Sequence, residues 1–212
     1  MHRVFIDPGT TIAQAGDTLA AAVRTLHDEG VVAYPTETFY GLAADPRSSA
    51  AIEKVYSLKG RRSSMPLPLI AASVEQVRDH VGEMTPLAEQ LALRGWPGPL
   101  TLIIVASPAL CASLQLTDGT VAVRVAGDSV ARALAAAAGH AITSTSANRS
   151  GEPSSATAQQ VIDAFGDRLD MLIDSGPMPG GLPSTIVDAT GDAPVLVRAG
   201  AMAWNRVLEF LD

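Results

Sequence analysis

The chain has 212 residues, 47% of them hydrophobic but only 4% aromatic, and a formal charge of -7 at pH 7. That length supports one domain with a sizeable core, packed from Ala, Val, Leu and Ile rather than from large rings. The acidic balance argues against a protein that coats nucleic acid with a uniformly positive surface and leaves a local basic patch as the form such contact can take.

A single cysteine, Cys111, excludes an intramolecular disulfide framework. It reads as a small buried apolar residue of a reducing compartment. The opening stretch MHRVFIDPGTTIAQ lacks the apolar core of a signal peptide, and no run approaches the ~18 apolar residues of a membrane span. A cytoplasmic protein with no membrane contact is expected.

In chain order, Asp17 is placed as the cap of a helix with Leu19, Ala22, Val23 and Leu26 at helical spacing and Gly30 at its stop. A strand from Val31 to Tyr34 runs into a hydroxyl-rich turn holding Thr36, Glu37, Thr38 and Tyr40. Ser49 to Leu58 reads as a second helix that delivers the chain to KGRRSSMPLPL, and PLIAAS as a strand. Ser73 with Gln76 predicts a capping box for a helix to Val81, and Thr85 with Pro86 a second well-signalled helix start. The turn GWPGP leads into LTLIIVA, a β-branched run expected to be buried on both faces. TVAVRV is a further strand, with Arg124 and Ala122 on one face and Val121, Val123 and Val125 on the other.

Asp128 is expected to cap the alanine-rich helix that ends at Gly139. HAITSTSANRSGEPSS reads as a short strand opening into a long polar loop, and Thr157 with Gln160 as another capping box for a helix to Phe165. MLIDSG is a strand; PSTIVDAT and PVLVRAG form a strand pair joined by a turn at Gly191 and Asp192, before a short terminal helix. Alternating strands and helices followed by clustered strands predict an α/β (α+β) fold, a mixed sheet in one domain over residues 1–212.

Lys59, Arg61 and Arg62 stand within four residues on a loop flanked by Gly60 and two serines. They form either a solvated basic turn or a phosphate clamp, in which guanidinium forks meet phosphate oxygens in pairs. No Walker A pattern is present. STSANRSGEPSS is either a polar loop satisfied by its own turns or a set of neutral donors for a nucleotide. The histidines, His2, His27, His80 and His140, lack metal-ligand spacing, so no protein metal site is expected. No G-x-S-x-G elbow supports a hydrolase triad. Trp96 in GWPGPLT reads as a packing anchor.

Taken in order, YPTETFYGL, KGRR, GWPGPLTL, TVAVRV, STSANRSG, PSTIVD and VLVRAG resemble the YrdC family of threonylcarbamoyl-AMP synthases over about residues 30–200. The resemblance implies a twisted mixed sheet with surrounding helices around a large concave cavity. It also implies condensation of L-threonine, bicarbonate or CO2, and ATP into threonylcarbamoyl-AMP and pyrophosphate, with Mg2+ on the ATP phosphates. Downstream tRNA threonylcarbamoyl-transfer proteins would carry the group to the adenosine beside the anticodon. Longer members add a C-terminal domain, which a chain of this length is expected to lack.

By the same resemblance, Thr36, Arg124, Ser144 and Ser184 are the threonine-binding positions. Lys59, Arg61, Thr120, Ser146, Asn148, Ser154 and Arg198 are the ATP-binding ones, with Lys59, Arg61, Ser146 and Asn148 the catalytic set. Relatives often read KGRPxxNPLIVH, whereas KGRRSSMPLPLIAA here has Met65 in place of the asparagine and no following histidine. Two rivals remain at this point: a non-catalytic YrdC-like module that holds double-stranded RNA on Arg61, Arg62, Arg124, Arg149 and Arg198, and the carbamoyl-transfer chemistry of the related domain in hydrogenase maturation proteins, whose acylphosphatase and zinc-binding segments this chain lacks.

Overall fold

The structure is a computed structural model and describes residues 1–7, 15–60, 67–116, 118–127 and 129–212. Its elements in order are β1 (His2–Phe5), α1 (Gly16–His27), β2 (Val32–Pro35), β3 (Tyr40–Ala43), α2 (Ser49–Lys59), β4 (Leu69–Ala71), α3 (Val74–His80) and β5 (Gly82–Glu83). There follow α4 (Pro86–Gly95), β6 (Leu100–Ala106), β7 (Thr120–Val125), α5 (Val130–Ala138), β8 (Ile142–Thr143) and β9 (Thr145–Ser146). The chain ends through α6 (Ala158–Phe165), β10 (Met171–Asp174), β11 (Thr185–Asp188), β12 (Val195–Arg198) and α7 (Trp204–Leu208).

The mixed sheet is not one but two. A five-stranded sheet has the order β1-β10-β2-β3-β9, and a seven-stranded sheet the order β12-β11-β6-β7-β4-β8 with β5 added on β6. Parallel and antiparallel pairs occur in both: β10 runs parallel to β2 while β2 and β3 form an antiparallel hairpin. The chain crosses between sheets at Ser144, since β8 pairs with β4 and β9, one residue later, pairs with β3. A sequence pattern of hydroxyl residues gave no sign of that switch, because such short strands carry no periodicity.

Two cores share the sheets. Ala33, Tyr40 and Leu42 pack with Leu69, Leu100, Leu102, Val121 and Val123 under α2 and α4. Val32, Tyr34 and Ala43 pack with Ile70 and Ile142 under α1 and α5. The β7 alternation holds: Val121, Val123 and Val125 are buried, and Ala122 and Arg124 lie partly open. Burial along β6 covers Leu100 to Ile104 and stops at the exposed Val105.

Several local signals land as read. Thr85 caps α4 with Pro86 in the first turn, Thr157 and Gln160 form a reciprocal capping box, and β11 pairs antiparallel with β12. Trp96 is an anchor whose Nε1 donates to the Leu100 carbonyl at 2.6 Å, and Cys111 is buried. Others shift. The cap position of α1 is Ala15, with Asp17 inside the first turn, where its charge favours the helix N-terminus. That helix ends at His27; the left-handed residue is Glu29 (φ 59), and Gly30 lies so close to Thr25 that a Cβ would sit 2.6 Å from its methyl. At α5 the cap is Ser129, while Asp128 lies outside the described residues. Gln76 Oε1 accepts from Ala72 N–H rather than from the Ser73 N–H of a closed box.

Candidate active site

The hairpin turn between β2 and β3 is built by Thr36. Its hydroxyl accepts from the N–H groups of Thr38 and Phe39, each at 3.2 Å, and donates to the Phe39 carbonyl at 2.6 Å. The Thr36 oxygen is thus invested in the turn, and the side chain the turn presents is Glu37. One Glu37 oxygen accepts from Gly127 N–H at 3.1 Å and the other lies 3.4 Å from Arg124 Nη2. Burial works to raise the Glu37 pKa, but Arg124 and the Gly127 N–H outweigh it and hold the carboxyl below its usual range.

Tyr34 completes this corner. It is fully buried, its hydroxyl lies 3.4 Å from the Thr143 carbonyl, and burial pushes its pKa up to about 12 against smaller opposing effects of Ser144 and Arg124. The phenol therefore stays a donor at neutral pH. Ser144, held by its N–H to the Pro68 carbonyl at 2.7 Å, sits at the crossing between the sheets. The structure so brings Thr36, Arg124 and Ser144 to one corner, with Glu37 and Tyr34 beside them.

Ser184 lies along the same sheet face. Ile186 pairs with Thr101 and with Arg198, and Leu102 pairs with Val123, so Thr101 and Arg124 are the next residues along that ladder. Ser184 Oγ lies 2.7 Å from Thr101 Oγ1, and Arg198 Nη2 donates to the Ser184 carbonyl at 2.8 Å. Thr120, four residues before Arg124 and on its face, donates through its hydroxyl to Asp118 at 2.7 Å.

Lys59, at the end of α2, is only 4% exposed. Its ammonium donates to the carbonyls of Ser146 at 2.6 Å and Asn148 at 3.0 Å, and Ser150 N–H returns to the Lys59 carbonyl at 2.9 Å. Ser146 donates to Asn148 Oδ1, whose amide donates to the Arg149 carbonyl at 2.9 Å and to that of Glu152. Lys59 therefore fixes the shape of the Ser-Ala-Asn loop. Ser154 opens on a pocket of about 400 Å³ shared with Asn148, Arg149 and Asp163. Arg61, Arg62 and Met65 lie outside the described residues.

Sequence reading assigned no role to Glu37, Tyr34 or Thr101. Glu37 had a visible signal, a charge inside a hydroxyl turn. Tyr34 and Thr101 had none, since each sits in an apolar strand. Among the described residues no group of three or more His, Cys, Asp or Glu converges, and no helix is long and apolar enough to cross a membrane.

The fold is a two-sheet α/β one with charged and hydroxyl side chains along one partly open sheet face. The family model described as Telomere recombination (Sua5, YciO, YrdC) matches residues 24–200, and the chain belongs to that family. It is 36% identical over 207 residues to the threonylcarbamoyl-AMP synthase of Bacillus subtilis, covering 97% of this chain and 60% of that protein. With the Idiomarina loihiensis threonylcarbamoyl-AMP synthase the identity is 36% over 84% of this chain and 94% of the relative. The crystal structure of Pyrococcus abyssi Sua5 complexed with L-threonine superposes with a TM-score of 0.89 at 31% identity, over 100% of this chain and 61% of the other. The chain thus spans about three-fifths of the B. subtilis and P. abyssi proteins. Escherichia coli YciO shares the fold, with a TM-score of 0.83 at 22% identity over 97% of this chain and 98% of that one.

Proposed function

We propose that this protein condenses L-threonine, bicarbonate or CO2, and ATP into threonylcarbamoyl-AMP, releasing pyrophosphate. The observation that carries the reading is the Arg124 corner, a guanidinium held among Tyr34, Ser144 and the Thr36 turn on a chain whose relatives bear that activity in their names and include a threonine complex. Arg124 takes the threonine carboxylate, and Ser144, Ser184 and the Thr36 turn shape the pocket around the side chain.

The threonine amine adds to CO2 and loses a proton, giving a carbamate. A carbamate oxygen then bonds to the α-phosphorus as its bond to the β-phosphate oxygen breaks, and pyrophosphate leaves. Positioning and charge stabilisation are the protein's contribution. Thr120, Ser146, Asn148, Ser154, Arg61 and Arg198 supply hydroxyl, amide and guanidinium donors to the nucleotide. Lys59 acts by holding the Ser146–Asn148 loop and by its field. This donor set suits phosphate oxygens rather than a metal, so Mg2+ would be held by the ATP phosphates and supply charge neutralisation there.

Further proposals follow from this reading: a single domain over residues 1–212, a cytoplasmic site of action, and transfer proteins that pass the product to tRNA. A module that only holds RNA is the weaker reading, because the net charge is -7 and Glu37 sets a negative charge beside Arg124. Incubation with ATP, L-threonine, bicarbonate and Mg2+ followed by mass spectrometry is expected to reveal threonylcarbamoyl-AMP. Its absence where a control synthase succeeds overturns the proposal.

A further inference from the structure

We propose that Glu37 is the group that recognises the substrate's α-ammonium, so that Arg124 and Glu37 together form a receptor for an amino-acid zwitterion. This rests on the assignment of the Arg124 corner to threonine.

An α-amino acid carries its ammonium nitrogen and its carboxylate carbon on one carbon, about 2.5 Å apart. A site that reads both charges needs a cation and an anion side by side. Arg124 and Glu37 are such a pair, 3.4 Å apart. That contact is long and single, and it spares the remaining N–H groups of the guanidinium fork for a second carboxylate. Glu37 is not free to follow its partner away. Its other oxygen is fixed by Gly127 N–H, and it packs so close to Gly127 that a Cβ there would come 3.3 Å from it. The Thr36 hydroxyl bonds fix the backbone from the other side.

Exposure is divided in the sense a ligand requires. The Arg124 side chain is 16% exposed and that of Glu37 39%, so the carboxylate lies toward the open side of the corner with lone pairs unspent. A bare guanidinium would accept any oxyanion, phosphate-like and dicarboxylic ones included. With Glu37 beside it the local charge is balanced, and a monocarboxylate gains full benefit only when it brings a positive charge of its own. Discrimination then comes from the amine, the atom the reaction carbamoylates.

Calorimetric titration with L-threonine and with (R)-3-hydroxybutanoate, the same molecule without its amine, tests this on wild type, Glu37→Gln and Arg124→Ala. Gln keeps the shape of the side chain and its acceptor for Gly127 N–H. Wild type is expected to prefer threonine, and Glu37→Gln to lose about ten- to a hundredfold in threonine affinity while binding hydroxybutanoate as well as or better than wild type. Arg124→Ala is expected to weaken both ligands. Should Glu37→Gln bind both ligands more tightly by the same factor, Glu37 is only a counter-ion and the proposal is overturned. Should wild type bind neither ligand, the threonine assignment itself fails, a result distinct from the first. If the Gln protein does not fold, Glu37→Asp carries the test: a smaller loss confined to threonine supports the proposal, and an equal change for both ligands overturns it.

Discussion

Arg124→Ala removes a guanidinium from the open face of β7 and leaves Val121, Val123 and Val125 in the core. Threonine affinity is expected to fall by about 1.5 to 3 kcal/mol, roughly ten- to a hundredfold, while ATP affinity measured alone stays where it was. Titration of each ligand into both proteins checks this, and an unchanged threonine affinity returns Arg124 to an ordinary surface role. Lys59 calls for a different expectation. Its ammonium satisfies the carbonyls of Ser146 and Asn148 in a buried setting, so Lys59→Met leaves acceptors without their donor. We expect a stability loss of about 1 to 3 kcal/mol in urea denaturation together with weaker ATP binding. Loss of ATP binding at full stability would mean that Lys59 meets the nucleotide directly. Asn148→Ala removes donors to the Arg149 and Glu152 carbonyls and is expected to weaken ATP more than threonine in the same titrations.

Elements differ in how openly the sequence announces them. Thr157 and Gln160 state a helix start through two reciprocal bonds within four residues, which is local chemistry and therefore legible. Thr157→Ala is expected to cost about 1 kcal/mol, read as a lower denaturation midpoint at unchanged slope. The β8 to β9 crossing at Ser144 was not legible, because which sheet a two-residue strand joins depends on partners far along the chain, Ile70 for Ile142 and Gly41 for Ser146. The Arg124–Glu37 pair has the same origin, joining residues 87 positions apart. The candidate threonine and nucleotide positions were read from an ordered set of motifs; their neighbours Tyr34 and Thr101, set in apolar strands, needed the fold to bring them in. Just past the end of β12, Gly200 lies where a Cβ would sit 2.3 Å from the Pro183 carbonyl oxygen. Gly200→Ala must push that strand end, Arg198 with it, away from Pro183 and Ser184, and we expect about 1 to 3 kcal/mol of destabilisation with a weaker site. Equal stability by urea titration would show that the strand end yields freely.

Across the whole molecule, two buried polar features set opposite limits on pH. Tyr34 holds its proton up to about 12 when folded, against about 10 for an ordinary tyrosine in the unfolded chain. Its contribution is complete below pH 10 and is lost as pH rises to 12, because the unfolded chain ionises first; the loss is roughly 3 kcal/mol. Tyr34→Phe is expected to flatten that alkaline branch in denaturation measured across pH. Asp174 works the other way. Burial raises its pKa, but Arg3, the Gly176 N–H and Tyr40 prevail and lower it. Its stabilisation is present above the unfolded carboxylate value and fades as pH falls through the folded one, so Asp174→Asn is expected to blunt acid unfolding. An acid branch of unchanged steepness in the variant would place that proton uptake elsewhere.

The ladder that joins β6 to β7 also acts as a parity check on the site. Strand side chains alternate, so sliding β7 by one residue exchanges the odd set Val121, Val123 and Val125 with the even set Thr120, Ala122 and Arg124. A guanidinium would then enter the core while valines faced the open side. No stable folded copy can carry that error, because burying an unpaired charge costs far more than a misplaced turn. Every molecule that passes the test of folding has, by the same hydrogen bonds, already placed Arg124 on the partly open face.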